Sequence, residues 1–126
     1  TITRYGLAKS TQSLLVVNTH MVNFEWGVTG FSQQWTEIEE ILKLHDGPLI
    51  VAGDFNTWSL ERMAIVEGLV SRHNLQSVSF HPDSRTSFFG LPLDHILTRG
   101  LSVTKANVLS FSRSDHNSLW SELHLD

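Results

Sequence analysis

The 126 residues carry 13 acidic and 9 basic side chains, a formal net charge of −4, with 40% hydrophobic and 17% charged content. That is the length of one ordinary domain able to bury its own core, and the composition of a water-soluble globular protein. There is no cysteine, which excludes disulfide staples, thiolate zinc sites and cysteine nucleophiles, while the acidic balance argues against a strongly basic nucleic-acid-binding surface.

No apolar run approaches the ~20 residues that span a bilayer, and no charged-then-apolar leader opens the chain. The absence of cysteine fits a cytoplasmic location. Because the first residue is Thr1 and not a methionine, a processed or cut-down piece of a longer chain is expected, with room for a targeting segment upstream. Arg85, Arg99, Lys105 and Arg113 fall loosely in the second half and read as scattered surface charge.

The first predicted element is a strand over Leu14–Asn18, a run of aliphatic and β-branched residues. From Phe31 to His45 the apolar Phe31, Trp35, Ile38, Ile41 and Leu42 recur at helical spacing, and Asp46-Gly47-Pro48 supplies the stop. Leu49–Ala52 reads as a continuous apolar strand of the kind buried on both faces. Ser59 is placed to cap a second helix running to about His73, with Met63, Val66, Leu69 and Val70 on one side and Asn74 as terminator. Short strands follow near 75–80, 86–89, 93–98, 103–111 and 118–125. In the last, Leu119, Ser121, Leu123 and Leu125 alternate against Trp120, Glu122 and His124. Strand, helix, strand makes a parallel βαβ unit, and the later hairpin-like runs make the sheet mixed, so the fold class is α/β.

Ligands of such sheets sit beyond the carboxyl ends of the strands. Asn18-Thr19-His20 and Gly53-Asp54-Phe55-Asn56 both fall there. Asp54 and Asn56, two apart, point to one side and can hold a water and a phosphate oxygen together, while Phe55 turns into packing. Gly53 lets the backbone make a sharp exit. In Ser114-Asp115-His116-Asn117, Asp115 is a hard oxygen ligand suited to Mg²⁺ or Mn²⁺. His116 can donate to a phosphoryl oxygen or exchange a proton with water. Asp94 ends the run Gly90-Leu-Pro-Leu-Asp94, and a carboxylate behind an imidazole fixes its tautomer and favours its charged form.

Each of these has a plainer reading when taken singly: a Gly-Asp turn, a surface turn residue, a solvated Asp-His loop, a satisfied strand-end histidine at His20. His95 would point away from Asp94 in a strand and is the weaker candidate beside His116. His45, His73, His81 and His124 read as solvated. There is no P-loop, GxGxxG, His-Glu-x-x-His or nucleophile elbow.

Taken in order, Val-Val-Asn-Thr-His (16–20), Val-Ala-Gly-Asp-Phe-Asn-Thr (51–57), Pro-Leu-Asp-His-Ile-Leu (92–97) and Ser-Asp-His-Asn-Ser-Leu-Trp (114–120) resemble the endonuclease/exonuclease/phosphatase family of metal-dependent phosphodiesterases, the DNase I-like nucleases among them. The resemblance runs from about Leu14 to Leu125 and is closest to a bacterial subgroup. It implies substrate contact through Asn18, His20 and Asn56, with His20 as phosphate contact or proton donor. It implies that Asp54 and Asn56 orient the attacking water, that Asp94 pairs with His116, and that Asp115 binds Mg²⁺ or Mn²⁺. Both the His-Asp pair and Asp54 stand as candidates for the general base.

The family fold is a four-layer α/β sandwich of about twice this length, whose early strands carry an Asn and a metal-binding Glu. Nothing before Thr11 matches that strand, so residues 1–126 are expected to be the C-terminal portion of such a domain, its N-terminal half absent. The exposed sheet face would involve strand residues such as Leu15, Val17, Leu49 and Val51, partly uncovered or packed against a second copy in self-association. The implied activity is phosphoester hydrolysis, on a nucleic acid, a small phosphorylated molecule or a lipid headgroup. The alternative is a catalytically incomplete module that binds phosphate or a partner without turnover.

Overall fold

The computed structural model describes residues 1–126. The elements in chain order are β1 (Ile2–Gly6), β2 (Ser13–His20), α1 (Thr29–Lys43), β3 (Leu49–Asp54), α2 (Leu60–Arg72), β4 (Gln76–Ser77), β5 (Ser87–Phe88), β6 (Leu91–Pro92), β7 (Asp94–Arg99), β8 (Leu101–Leu109) and β9 (Ser118–Leu125). One five-stranded sheet has the order β1-β2-β3-β7-β4; β5-β6 and β8-β9 form separate two-stranded ladders. Only β2 and β3 pair in parallel, with α1 as the crossover between them. The fold is a mixed α/β sheet with two helices.

Helix α2 starts as the sequence directs: the Ser59 hydroxyl accepts from the Arg62 backbone N–H at 3.2 Å, satisfying one of the orphan donors of the first turn. It ends at Asn74, which takes the left-handed conformation with φ 51°. The apolar stripe of α1 (Phe31, Trp35, Ile38, Leu42) packs with Val66 and Leu69 of α2 against Leu15, Val17, Leu49, Val51 and Leu97 of the sheet. No helix is long and apolar enough to cross a membrane.

Three expectations are corrected here. Leu15, Val17, Leu49 and Val51 are not uncovered; all four are buried, because alternation along β2 and β3 turns them toward the helices. The half-buried face is the opposite one, with Leu14, Val16, Ile50 and Ile96, so β3 is buried fully on one face only. Likewise His45 and His73 are buried rather than solvated. His45 Nε2 lies 3.0 Å from the Pro48 carbonyl oxygen, and His73 Nε2 lies 2.8 Å from Glu39. Both rings close the helix ends onto neighbouring backbone or helix through Nε2.

Gly53 explains why the β3 run ends as it does. Its φ is +139°, and a Cβ there would sit 1.9 Å from the Thr19 carbonyl oxygen of β2. No side chain fits where the two parallel strands deliver His20 and Asp54. We expect Gly53→Ala to cost about 3 kcal/mol or more, the size typical of forced backbone strain plus overpacking. Urea unfolding of the two proteins measures it.

Candidate active site

Register builds the site. Across the sheet, His20 of β2 stands beside Asp54 of β3, and Asp54 stands opposite Asp94 of β7. All three belong to the half-buried face, so the strands whose alternate residues form the core carry chemistry on their other side. His116, in the turn before β9, reaches in from above. Its Nδ1 lies 2.7 Å from Asp94 Oδ2, and its Nε2 lies 3.8 Å from Asp54 Oδ2. His20 Nε2 approaches the same Asp54 oxygen at 3.5 Å. One carboxylate therefore sits between two imidazoles, the second of which is held by a further carboxylate.

The electrostatics follow from that crowding. Burial pushes the Asp94 carboxyl above its ordinary value, against the pull of its His116 bond and with a further push from Asp54. Desolvation lowers the His116 imidazole, but the hydrogen bond to Asp94 and the charges of Asp94, Asp54 and Asp115 outweigh it and leave His116 above its ordinary value. The two directions belong together: the coupled pair holds its shared proton tightly.

Other predicted residues take different places. Asn56 is buried, with φ 50°, and lines the cleft. Its side-chain amide donates to the Met21 carbonyl at 2.8 Å, and its backbone N–H donates to Asp54 Oδ1 at 2.8 Å. It ties the loop after β3 to the loop after β2 and orients Asp54. Asn18 does not line this cleft; it borders an adjoining hollow with Ala52, Ile96 and Leu119. Asp115 is exposed and lines the cleft, apart from the group of ligand atoms from Asp54, Asp94 and His116 that lie within 4.8 Å of one another.

Magnesium-type cations take one or two carboxylates and keep several waters. The ligand atoms of Asp54, Asp94 and His116 are close enough together to hold such an ion, although Asp94 and His116 also bond each other. Asp54 and Asp115 both line a cleft of about 870 Å³, where their carboxylates are open to a hydrated cation of this class.

Residues the sequence left outside the site hold this arrangement, and Arg85, expected as scattered surface charge, is corrected to a mostly buried side chain. Arg62 is fully buried, and its Nη1 donates to the carbonyls of Val22 (2.7 Å) and Asn56 (3.0 Å). Its guanidinium lies 4.6 Å from the Phe31 ring centroid and 4.4 Å from that of Trp58. The signal was present: Arg62, Val66 and Leu69 share one helix stripe, where an arginine is out of place unless it has partners. Arg85, locked to Asp83 at 2.7 and 2.8 Å, donates to the Asp94 carbonyl at 3.2 Å. His95 points into the core, stacked on Phe55, with Nε2 at 2.7 Å from Thr57 Oγ1 and 3.1 Å from the Pro92 carbonyl.

The profile of the Endonuclease/Exonuclease/phosphatase family matches residues 2–116. A UPF0294 protein of Vibrio vulnificus (strain CMCP6) is 49% identical over 114 residues, covering 90% of this chain and 40% of that protein. One from Photorhabdus laumondii is 42% identical over 113 residues, covering 90% and 44%. The chain thus spans about two fifths of the length of these curated relatives. Among solved structures, the human Nocturnin catalytic domain with bound sulfate superposes with a TM-score of 0.68 at 24% identity, over 94% of this chain and 50% of that one. A mannosyl-6-phosphatase of Bacteroides thetaiotaomicron gives 0.62 at 21%, over 90% and 52%. At those identities the likeness is one of fold.

Two outcomes follow from the buried groups. Burial lowers His95 to about 4 from 6.5, with Arg85 adding to the effect. Between those values the unfolded chain binds the extra proton, so stability is full above about 6.5 and falls as pH drops toward 4. The loss should be on the order of 3 kcal/mol, and His95→Gln should flatten that part of the urea-unfolding profile. Arg62→Met should cost about 1–3 kcal/mol by orphaning two carbonyls, with Arg62→Lys recovering only part because an ammonium lacks the planar fork.

Proposed function

The chain belongs to the endonuclease/exonuclease/phosphatase family, and on that premise we propose that it carries the water-activating part of a metal-dependent phosphoester hydrolase. The observation that supports this reading most is Asp54 Oδ2 set 3.5 Å from His20 and 3.8 Å from His116, with His116 backed by Asp94 at 2.7 Å. Asp54 accepts the proton of a water whose oxygen attacks phosphorus. His116, its charged form favoured by Asp94, stabilises the negative charge growing on the phosphoryl oxygens. The bond from phosphorus to the leaving oxygen breaks, and His20 is placed to donate the proton which that oxygen takes up. Asn56 keeps Asp54 oriented through its backbone N–H.

Mg²⁺ or Mn²⁺, held by Asp54 and Asp115, would supply charge neutralisation at the phosphoryl group. The fold of the DNase I-like members supports the same reading. One neighbour binds sulfate, a tetrahedral anion like phosphate, and another is by name a phosphatase. Residues 1–126 are read as the C-terminal portion of the family domain, consistent with their covering about two fifths of the curated relatives.

Asp54→Asn or His116→Ala should lower turnover of a phosphodiester by about 10²–10⁴ while leaving the circular-dichroism spectrum intact. Near-normal rates in both would move the chemistry elsewhere. Beside a full-length UPF0294 relative, the 126-residue chain should bind Mg²⁺ weakly and turn over slowly, since two carboxylates compete poorly with water for the ion. Comparable metal affinity and rate in the two proteins would show that this part carries a sufficient site.

A further inference from the structure

Two aromatic pairs flank the mouth of the cleft. Phe24 and Trp26, in the loop after β2, meet edge to face at 6.1 Å, and Phe88 and Phe89, at the β5–β6 tip, do so at 4.6 Å. One member of each pair, Phe24 and Phe88, lines the cleft. The other members do not: Trp26 is 92% exposed and Phe89 91%.

Phe89 is placed there against backbone preference. It has φ 47° and is followed by Gly90 at 78°, in a two-residue loop closed by the Phe88–Leu91 pair. Asn, Asp or Gly suits such a tip; a bulky aromatic is disfavoured there. The loop that carries Phe24 and Trp26 is itself anchored. Trp58 Nε1 donates to the Asn23 carbonyl at 2.8 Å, and Glu25 accepts from the N–H groups of Gly30 and Phe31 at 2.8 and 2.7 Å. An anchored loop and a tight hairpin tip hold apolar rings out in water.

We infer that this aromatic rim docks on the neutral interface of a lipid bilayer, so that the cleft faces phosphoesters of lipid headgroups; the headgroup part rests on the phosphoester reading above. Rings outside the cleft contribute nothing to a small molecule inside it, but they meet any flat apolar–polar interface laid across its mouth. A nucleic-acid strand could also stack on them, but it needs a cationic track. The cleft is lined by no lysine or arginine, and the chain carries a net charge of −4. The same deficit selects zwitterionic over anionic lipid, since attraction to acidic lipid depends on clustered Lys and Arg.

Co-sedimentation of the chain with phosphatidylcholine vesicles, phosphatidylglycerol vesicles and a single-stranded oligonucleotide tests this. The expected result is binding to phosphatidylcholine that survives added salt, no gain with phosphatidylglycerol, and no oligonucleotide binding. Trp26→Ser with Phe89→Asn should weaken vesicle binding about tenfold or more. Phe89→Asn should keep or raise the melting temperature, because Asn tolerates the tip conformation; if the double variant fails to fold, Trp26→Ser is read alone. Absence of vesicle binding, equal binding by the variants, or capture of the oligonucleotide in place of vesicles would overturn the inference. Turnover of a water-soluble diester reads the phosphoester proposal separately. With turnover read on a full-length UPF0294 relative, turnover there without vesicle binding by the chain sinks only the lipid docking, whereas vesicle binding without turnover by the full-length protein upholds the docking and sinks the hydrolase reading.

Discussion

A buried guanidinium holds the working end of this sheet together. Arg62 comes from α2, on the helix side, yet its hydrogen bonds go to the loops after β2 and β3, the ones that follow His20 and Asp54. Taking that cation out of water is costly, and burial lowers its pKa against the nearby charge of Glu25. Two carbonyls, two aromatic faces and Glu25 at 3.8 Å offset the cost. Nε and Nη2 still lack hydrogen-bond partners. Such a residue is tolerable only where the loops stay closed around it, so the cost of burial becomes a penalty on their opening.

A second constraint acts on the opposite face. Register sets Asp54 directly across from Asp94, and like charges so paired repel. The His116 imidazole relieves this by bonding Asp94 and standing 3.8 Å from Asp54. The repulsion also gives the site its chemical bias. Because Asp94, Asp54 and Asp115 all favour the charged ring, His116 is suited to stabilising anionic charge, and the proposed role of Asp54 as proton acceptor rests on that bias.

Much of this was legible because the signals were local. The α1 stripe, the Ser59 cap, Asn74 and the alternation of β2 depend on near neighbours, and the helices and central strands lie within a few residues of where the sequence puts them. The motif residues His20, Asp54, Asp94 and His116 meet because strand ends bring them together. What escaped depends on distant partners. Strand β1 has little apolar character of its own and exists through pairing with β2. Asp54-Phe-Asn56 suggested two side chains working side by side, but the left-handed Asn56 turns its amide onto Met21. Which sheet face was covered could not be read from strands apolar on both sides. Helix packing decided it.

The least secured part of the site is therefore the one that carries His116. No ladder joins β9 to the five-stranded sheet. The turn before it is tied by side chains: His116 to Asp94, the Asn117 N–H to Thr86 Oγ1 at 2.9 Å, and the Asn117 amide to the Ser84 carbonyl at 2.8 Å. The His116–Asp94 bond is at once chemistry and tether, so a cation that captured Asp94 would also loosen the imidazole. The half-buried Leu14, Val16, Ile50 and Ile96 lie on this same face. Any element that pairs with the free edge of the β8–β9 hairpin and covers them would hold His116 in place by backbone and packing, where now three side-chain contacts do so alone.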